Sequence, residues 1–277
     1  MKNIKIKWSN LYLIAIFVIL YAPIFYLIFY SFNSGGTMTS FEGFTWDNYL
    51  TVFEDKRLIT IVLNTLLVAL LSSLAATIIG TFGALAIYYT KKRKNRTTLL
   101  SLNNILMVSP DVIIGASFLI LFTFIGFSLG FASVLLSHIA FSIPIVVLMV
   151  LPKLKEMNDT MIMAARDLGA NNWQVLSKVI LPSITPGILA GFFMAFTYSL
   201  DDFAVTFFVT GNGFTTLAVE IYSRARQGVS LEINALSALM FLFSLLLVIG
   251  YYFIQQHNLS KKQKNKKKRL SGAVIIR

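Results

Sequence analysis

The chain has 277 residues, of which 56% are hydrophobic and only 13% are charged, and its formal net charge is +12. A soluble domain of this size carries roughly 25% charged residues, so the composition argues against an ordinary soluble globular protein. The absence of cysteine excludes disulfides, thiolate metal sites and cysteine nucleophiles.

The hydrophobic residues are grouped in long uncharged blocks. A helix rises about 1.5 Å per residue and the hydrocarbon core is about 30 Å thick, so one span needs about 20 apolar residues. Blocks of this length without strand-like alternation predict helices and not a barrel. In chain order, the sequence predicts six spans near residues 11–32, 61–89, 105–125, 129–151, 184–209 and 233–254.

Two of these blocks have more than one interpretation by length alone. The first follows three lysines, as in a signal peptide, but it is longer than the usual apolar region of such a signal and no small-residue cleavage site follows it closely. We therefore interpret it as an uncleaved span. The stretch 105–151 is too long for one crossing, and Gly126 and Gly130 predict the turn that divides it. All six spans are assigned to a single transmembrane domain over residues 1–277.

The distribution of Lys and Arg predicts the orientation in the membrane. The segments 1–10, 90–101, 152–183 and 255–277 carry 20 of the 24 basic residues and fall on one side of the predicted spans. Because translocation disfavours Lys and Arg, that side is predicted to be cytoplasmic, with both chain ends inside. The same basic clusters are expected to contact anionic membrane lipid and not nucleic acid. The basic tail 256–277 is predicted to be disordered from residue 260 onward.

Several kinds of site are missing from the sequence. No G-x-x-x-x-G-K-[ST] loop is present, so the chain is not expected to bind ATP in that way. The two histidines, His138 and His257, lack a metal-ligand spacing. His138 lies within a span, where an interhelical hydrogen bond is favoured over a proton relay. The sequence therefore predicts a non-enzymatic protein without catalytic or metal-binding residues.

The cytoplasmic segment 153–183 contains signals for two short helices. Asn158 or Asp159 can cap the first helix, which Gly169 ends because glycine readily adopts positive φ. Asn171 or Asn172 can cap a second helix over 173–181. Prolines at 182 and 186 then mark the return into the membrane.

The first of these helices has an apolar face without an evident partner in the sequence. The face consists of Met161, Ile162, Ala165 and Leu168. A thin loop is expected to contain nothing that buries this apolar face, so two interpretations remain open. The helix either lies on lipid headgroups or docks another protein.

The same segment resembles the coupling loop of ABC importer membrane subunits, whose pattern is E-A-A-x3-G-x9-I-x-L-P. The spacing is complete, with Met163 replacing Glu and Val179 replacing Ile. The residues at the pattern's positions are Met163, Ala164, Ala165, Gly169, Val179, Leu181 and Pro182. Further similarity to the permeases of spermidine/putrescine importers extends over 109–122, 164–191, 199–211 and 220–239.

The resemblance implies a fold and a set of partners. The fold is all-α, with six transmembrane helices arranged as a type I ABC importer permease, in which a five-helix core is joined by one peripheral N-terminal helix. The implied partners are a second permease subunit in a heterodimer, a cytoplasmic ATPase dimer that uses ATP and Mg²⁺, and an extracytoplasmic substrate-binding protein. The implied location is the bacterial cytoplasmic membrane.

Three acidic residues lie in or beside spans: Asp111, Asp201 and Asp202. No Lys or Arg lies inside any predicted span to neutralise them. A carboxylate in hydrocarbon is costly and is tolerated when it faces a polar pathway or a partner. The resemblance to polyamine importers gives them a role in lining a cation pathway. The alternatives are a helix cap at Asp111 and, at the other two, helix–helix hydrogen bonding or a structural contact with the partner permease.

Two other functions remain open at this stage. The coupling pattern does not specify a substrate, so the importer could carry another solute. A secondary transporter or channel would need internal symmetry or an intramembrane ion relay, and the sequence shows no clear repeat.

Overall fold

The computed structural model describes residues 8–228 and 230–274, and these are almost entirely helical. The lysines at 2, 5 and 7, used above to predict orientation, lie outside the described residues. The helices are α1 (Trp8–Tyr30), α2 (Asp47–Glu54), α3 (Lys56–Tyr89), α4 (Arg93–Val108), α5 (Asp111–Phe124), α6 (Phe131–Lys155), α7 (Asp159–Asp167), α8 (Asn172–Val175), α9 (Leu181–Asp201), α10 (Ala204–Val209), α11 (Leu217–Gln227) and α12 (Leu231–Val274).

Five helical segments among the described residues are long and apolar enough to cross a membrane. They are Leu11–Tyr30, Lys56–Tyr89, Phe131–Lys155, Asn172–Asp201 and Leu231–Gly250. A sixth crossing is present if α4 and α5 are counted as one bent span. The chain divides into two compact units, 1–60 with 221–250 and 61–220 with 251–277. The assignment of the whole chain to one domain stays a prediction.

The larger unit is built around the packing of α6 against α9. A Cβ placed on Gly187 would lie 2.9 Å from the carbonyl oxygen of Met149, and one on Gly191 would lie 3.2 Å from Cα of Val146. Small residues four apart let two membrane helices approach closely. The core that results is apolar and includes Val146, Val150 and Ile184.

The block predicted as one span over 105–125 is interrupted. Helix α4 ends at Val108, α5 begins at Asp111, and the two are inclined by 103°. Pro110 explains the bend, because proline has no N–H and disfavours a helical conformation in the residue before it. Helix α5 packs closely on α10, where a Cβ on Gly115 would lie 3.0 Å from Cα of Val205.

The second helix predicted within the segment 153–183 differs from the expected separate short helix over 173–181. Helix α8 continues through a π-helical turn, Leu176–Ile180, directly into α9. The N–H of Leu181 donates to the carbonyl of Leu176, five residues earlier. Pro182 lies in the first turn of α9, directly after the π-helical turn, and its missing N–H is tolerated there because the hydrogen-bond pattern is already altered.

The smaller unit contains a compact loop directly after α1. The buried side chain of Asn33 organises it, donating to the carbonyls of Thr37 and Ser40 at 2.8 and 2.7 Å and accepting from the Glu42 N–H at 2.8 Å. Trp46, just before helix α2, and Phe53 within it are exposed, and exposed aromatic residues of this kind predict a position at the membrane interface. The contact of this segment with a membrane surface stays a prediction.

The two ends of the chain depart from expectation in different ways. None of the apolar window of α1 is buried, as expected of a peripheral helix. Helix α12 continues to Val274, through most of the segment predicted to be disordered. That prediction relied on charge, but Lys, Gln and Leu are all strong helix formers.

Candidate substrate pathway and coupling surface

The fifth span is broken between two adjacent acidic residues. Helix α9 ends at Asp201, and Asp202 is extended, with φ −65° and ψ 119°. Adjacent residues on an intact helix point about 100° apart. The break separates the two side chains further in environment, because Asp201 is exposed whereas Asp202 is 8% exposed.

The Asp202 carboxylate is occupied by the chain itself. It accepts hydrogen bonds from the N–H groups of Val205 (3.3 Å) and Thr206 (2.8 Å). The hydroxyl of Thr206 donates to the same carboxylate at 2.7 Å. These are the first N–H groups of α10, which lack partners within the helix. Asp202 therefore acts as the N-terminal acceptor of α10, while its role in lining a cation pathway stays a prediction.

His138 lies at the centre of a buried polar cluster beside Asp202. Its Nδ1 lies 2.6 Å from the Ser199 hydroxyl, and its Nε2 lies 2.8 Å from the Thr206 hydroxyl and 3.5 Å from Asp202 Oδ2. The Ser199 hydroxyl is also 3.0 Å from that of Ser72 on α3. The cluster joins α3, α6, α9 and α10, so the expectation of an interhelical hydrogen bond for His138 is confirmed.

Asp111 and Asp201 lie on a face that we call the acidic face, together with Tyr198. The Tyr198 hydroxyl donates to Asp111 Oδ1 at 2.7 Å. Tyr198 and Asp201 are three residues apart on α9 and hence on the same side of that helix. Tyr198 is 37% exposed, so the acidic face is open at the surface of the chain. Asp111 begins α5, but no side-chain cap bond forms there.

The loop between α6 and α9 has the caps that the sequence predicts for its first helix. Asn158 precedes α7 and its side chain accepts from the Thr160 N–H at 3.0 Å. Gly169 follows with φ +81°. Its N–H donates to the Arg166 carbonyl at 2.8 Å, and the Ala170 N–H donates to the Ala165 carbonyl at 3.0 Å. This pair of bonds is a Schellman motif, which requires the left-handed residue that glycine supplies.

The apolar face of α7 is divided between inside and outside. Ile162 and Ala165 pack against the core of the larger unit, contrary to the expectation that nothing within the chain would bury that face. The core reaches the loop because α3 and α6 extend beyond the membrane-length requirement. The other two residues of that face, Met161 and Leu168, stay exposed, as do Met163 and Ala164, and we call these four residues the coupling surface.

The other residues of the coupling pattern lie on the segment leading to α9. Val179 belongs to the π-helical turn, Leu181 packs partly against the core, and Pro182 is exposed. They therefore connect the coupling surface to the span that carries Asp201. Tyr88 at the end of α3 lies 3.5 Å from Asp159 at the start of α7.

Sequence reasoning did not single out Tyr198, Ser199 or Thr206. A signal was available in part, because Tyr198 and Ser199 immediately precede the acidic pair in a span. Their contacts to α5 and α6 could not be predicted without the tertiary fold. Among the described residues, no group of three or more His, Asp or Glu could hold a metal ion.

Comparison with known proteins extends these observations. Residues 76–264 match the family described as the binding-protein-dependent transport system inner membrane component. The chain is 38% identical over 243 residues to the spermidine/putrescine transport system permease protein PotC of Escherichia coli strain K12, covering 88% of the chain and 92% of the relative. It is 33% identical to the putrescine transport system permease protein PotI of the same strain, over 86% of each protein.

The fold also matches solved structures. A chain of a bacterial ABC transporter that imports the acidic polysaccharide alginate aligns with a TM-score of 0.72, at 19% identity, over 90% of this chain and 94% of the other. The all-α, multi-span fold of a type I ABC importer permease, predicted from the sequence, is thereby confirmed.

Proposed function

Since the chain belongs to the family of binding-protein-dependent transport system inner membrane components, and is a non-catalytic permease subunit of an ABC importer, we propose that it helps to carry polyamines into the cell. The relatives named for spermidine and putrescine transport support this substrate class. The observation that carries the proposal within this chain is the acidic face.

The acidic face has the chemistry that a flexible polycation requires. Asp111 and Asp201 present two carboxylates on an open surface, and no Lys or Arg lies within the predicted spans to neutralise them. Two opposite charges 4 Å apart attract by about 4 kcal/mol at an effective dielectric constant of 20, compared with about 1 kcal/mol in water. A protonated amine is thereby compensated for part of its lost hydration. An anionic substrate would be repelled.

Uptake measurements on charge-neutralised variants test the substrate and the site together. The complex is expressed with its partner subunits in a strain lacking this gene, and entry of radiolabelled spermidine and putrescine is measured. Asp201→Asn and Asp111→Asn are each expected to lower spermidine uptake by about tenfold, the effect of losing one charge-assisted contact. Glu156→Gln is the control, because Glu156 pairs with Lys153 in an exposed i,i+3 ion pair.

Two outcomes would count against the proposal. If the strain carrying the unaltered chain takes up neither amine, the importer serves another solute. If it takes up spermidine normally in both Asp variants, the acidic face is not the pathway. Intermediate loss in one variant alone would assign the contact to that carboxylate.

The remaining partners follow from the coupling surface and the family. We propose that the coupling surface binds a cytoplasmic ATPase dimer, which uses ATP and Mg²⁺, and that the orientation with both ends cytoplasmic places it there. Met163 occupies the position of the pattern's Glu, so this contact would be apolar and not ionic. A second permease subunit in a heterodimer and an extracytoplasmic substrate-binding protein would complete the importer. Affinity co-purification of the tagged chain with each subunit, expressed together, tests this composition.

A further inference from the structure

The polar cluster around His138 is sealed from solvent. His138 is 1% exposed, Ser199 is 3% exposed and Thr206 is fully buried. Its members come from four helices, and the cluster lies at the one position where the fifth span is interrupted. Backbone groups freed by a break inside a membrane must be satisfied by the protein itself. Asp202, which belongs to the cluster, accepts hydrogen bonds from the N–H groups of Val205 and Thr206 at the break.

The directions of the two hydrogen bonds at the Thr206 hydroxyl can be deduced. The carboxylate of Asp202 is an acceptor, so the Thr206 hydroxyl donates its proton there. That hydroxyl can then only accept from His138 Nε2, which must carry a proton. His138 Nε2 also lies 3.5 Å from Asp202 Oδ2. His138 is therefore the side chain on α6 that holds the Asp202 carboxylate inside.

We propose that His138 is a positioning residue, which holds Asp202 inward and thereby keeps Asp201 directed outward on the acidic face. The two carboxylates are neighbours across the break, so their directions are linked. If His138 is lost, a buried carboxylate loses its partner on α6 and is driven toward water. Turning Asp202 outward would rotate Asp201 away from Tyr198 and Asp111. This inference rests on the proposed function for its effect on transport, but not for its effect on the position of Asp201.

The position of residue 201 can be measured directly because the chain has no cysteine. Asp201→Cys provides the only thiol of this chain, which is studied in the assembled complex in membrane vesicles. Its rate of modification by a cationic methanethiosulfonate reagent is followed after isolating the tagged chain. We expect His138→Leu to slow modification of that cysteine by about tenfold, since small displacements of a site group produce effects of this size or more.

Two further variants separate positioning from folding. His138→Gln retains an N–H near the position of Nε2 and is expected to leave the modification rate within about threefold of the parent. Ser142→Ala is the matched control, because Ser142 lies one turn further along α6, is fully buried, and its hydroxyl has no hydrogen-bond partner among the described residues. It should leave the rate unchanged.

Transport kinetics provide a second measurement. In chains that retain Asp201, His138→Leu is expected to raise the KM for spermidine by about tenfold, with a smaller change in maximal rate, whereas His138→Gln restores the KM. An unchanged modification rate at residue 201 in the His138→Leu background would overturn the inference. A changed rate with unchanged spermidine KM would keep the positioning role and count against the acidic face as the polyamine site.

Discussion

The chain interrupts its helices at Gly169 and at Asp202, and it does so by different means. At Gly169 the interruption needs only a backbone with φ +81° and two main-chain hydrogen bonds. A Cβ there would meet nothing within 4 Å. At Asp202 no residue adopts positive φ, and the break instead depends on a buried carboxylate, a histidine and two hydroxyls.

The difference reflects the surroundings of each break. A turn in water can leave carbonyl and N–H groups to the solvent, so a single glycine is sufficient. A turn within a membrane has no solvent to bond its carbonyl and N–H groups, so side chains must form these hydrogen bonds, supported by neighbouring helices. The first break is therefore local in sequence, and the second depends on tertiary packing. Substitutions at the two sites should accordingly have different consequences for the rest of the fold.

The largest effect is expected from Asp202→Ala. The change leaves the Val205 and Thr206 N–H groups and the Thr206 hydroxyl without their acceptor and His138 without its charged neighbour. Breaking a buried pair of this kind costs about 3–5 kcal/mol. The variant complex should unfold at a clearly lower temperature in detergent, and Asp202→Asn should lie between it and the parent.

The adjacent carboxylate provides the control for that prediction. Asp201 is exposed, and its side chain forms no hydrogen bond with the described part of the chain, so Asp201→Ala should leave the unfolding temperature nearly unchanged. Equal destabilisation by both substitutions would show that negative charge near the break stabilises it, and not the specific hydrogen bonds of Asp202.

A smaller effect on stability, with a large effect on assembly, is expected from Gly169→Leu. A side chain in the left-handed region costs about 1–2 kcal/mol, and leucine would also project beside the coupling surface. ATPase co-purification and transport should be lost while the chain still inserts into the membrane. Gly169→Asn should be milder, because asparagine tolerates this conformation.

Gly126 offers a matched comparison for the same substitution. It has φ +71° and equally open surroundings, but lies in the turn between α5 and α6. Gly126→Leu should lower stability by a similar amount while the ATPase still co-purifies. Loss of the ATPase from both variants would mean that strain alone, and not location, disrupts assembly.

The coupling surface itself can be altered without backbone strain. Leu168 is 88% exposed, so Leu168→Asp should change the free energy of unfolding by less than about 0.5 kcal/mol. It should still reduce the fraction of chain recovered with the ATPase, because a carboxylate enters an apolar contact. Thermal unfolding of the preparation checks the expected stability, and quantitative co-purification from the same preparation checks the expected loss of the ATPase. Undiminished recovery would exclude Leu168 from the interface.

The smallest effect is expected at a third helix boundary, the start of α3. The Asp55 carboxylate accepts from the Leu58 N–H at 3.1 Å and the Arg57 N–H at 2.9 Å and lies 3.4 Å from Arg224. Chiefly the Leu58 hydrogen bond, and also those from Arg57 and Arg224, hold the pKa of Asp55 below its ordinary value. The folded-state pKa is depressed, so this stabilisation is present above the unfolded-state pKa of about 4 and is lost as the pH falls below it. Asp55→Asn should reduce the pH dependence of unfolding in that range.

The two breaks also show how far the sequence could predict the structure. The helix ending at Gly169 was predictable in detail, because Asn158, the apolar spacing and the glycine are all local signals. The spans were predictable from apolar length. The bend at Pro110 could have been inferred from the proline, but a continuous apolar block concealed it.

The arrangement at Asp202 was beyond prediction from the sequence alone. His138 lies 61 residues from Ser199 and 68 from Thr206, so their contacts depend on how α6 meets α9 and α10. The sequence offered three acidic residues of equal standing. Only packing distinguished the buried Asp202 from the open Asp111 and Asp201.

The π-helical turn at Leu176–Ile180 has a geometric consequence for the coupling surface. Such a turn contains one residue more than the α-helical path, and each α-helical residue advances the chain by about 100° around the axis. Rewinding this segment as ordinary α-helix would therefore twist α8, and the loop before it, through about 100° relative to Asp201. The π-helical turn therefore sets the angle of the coupling surface about the helix axis, whereas the same rewinding would change its distance along that axis by only about 1.5 Å.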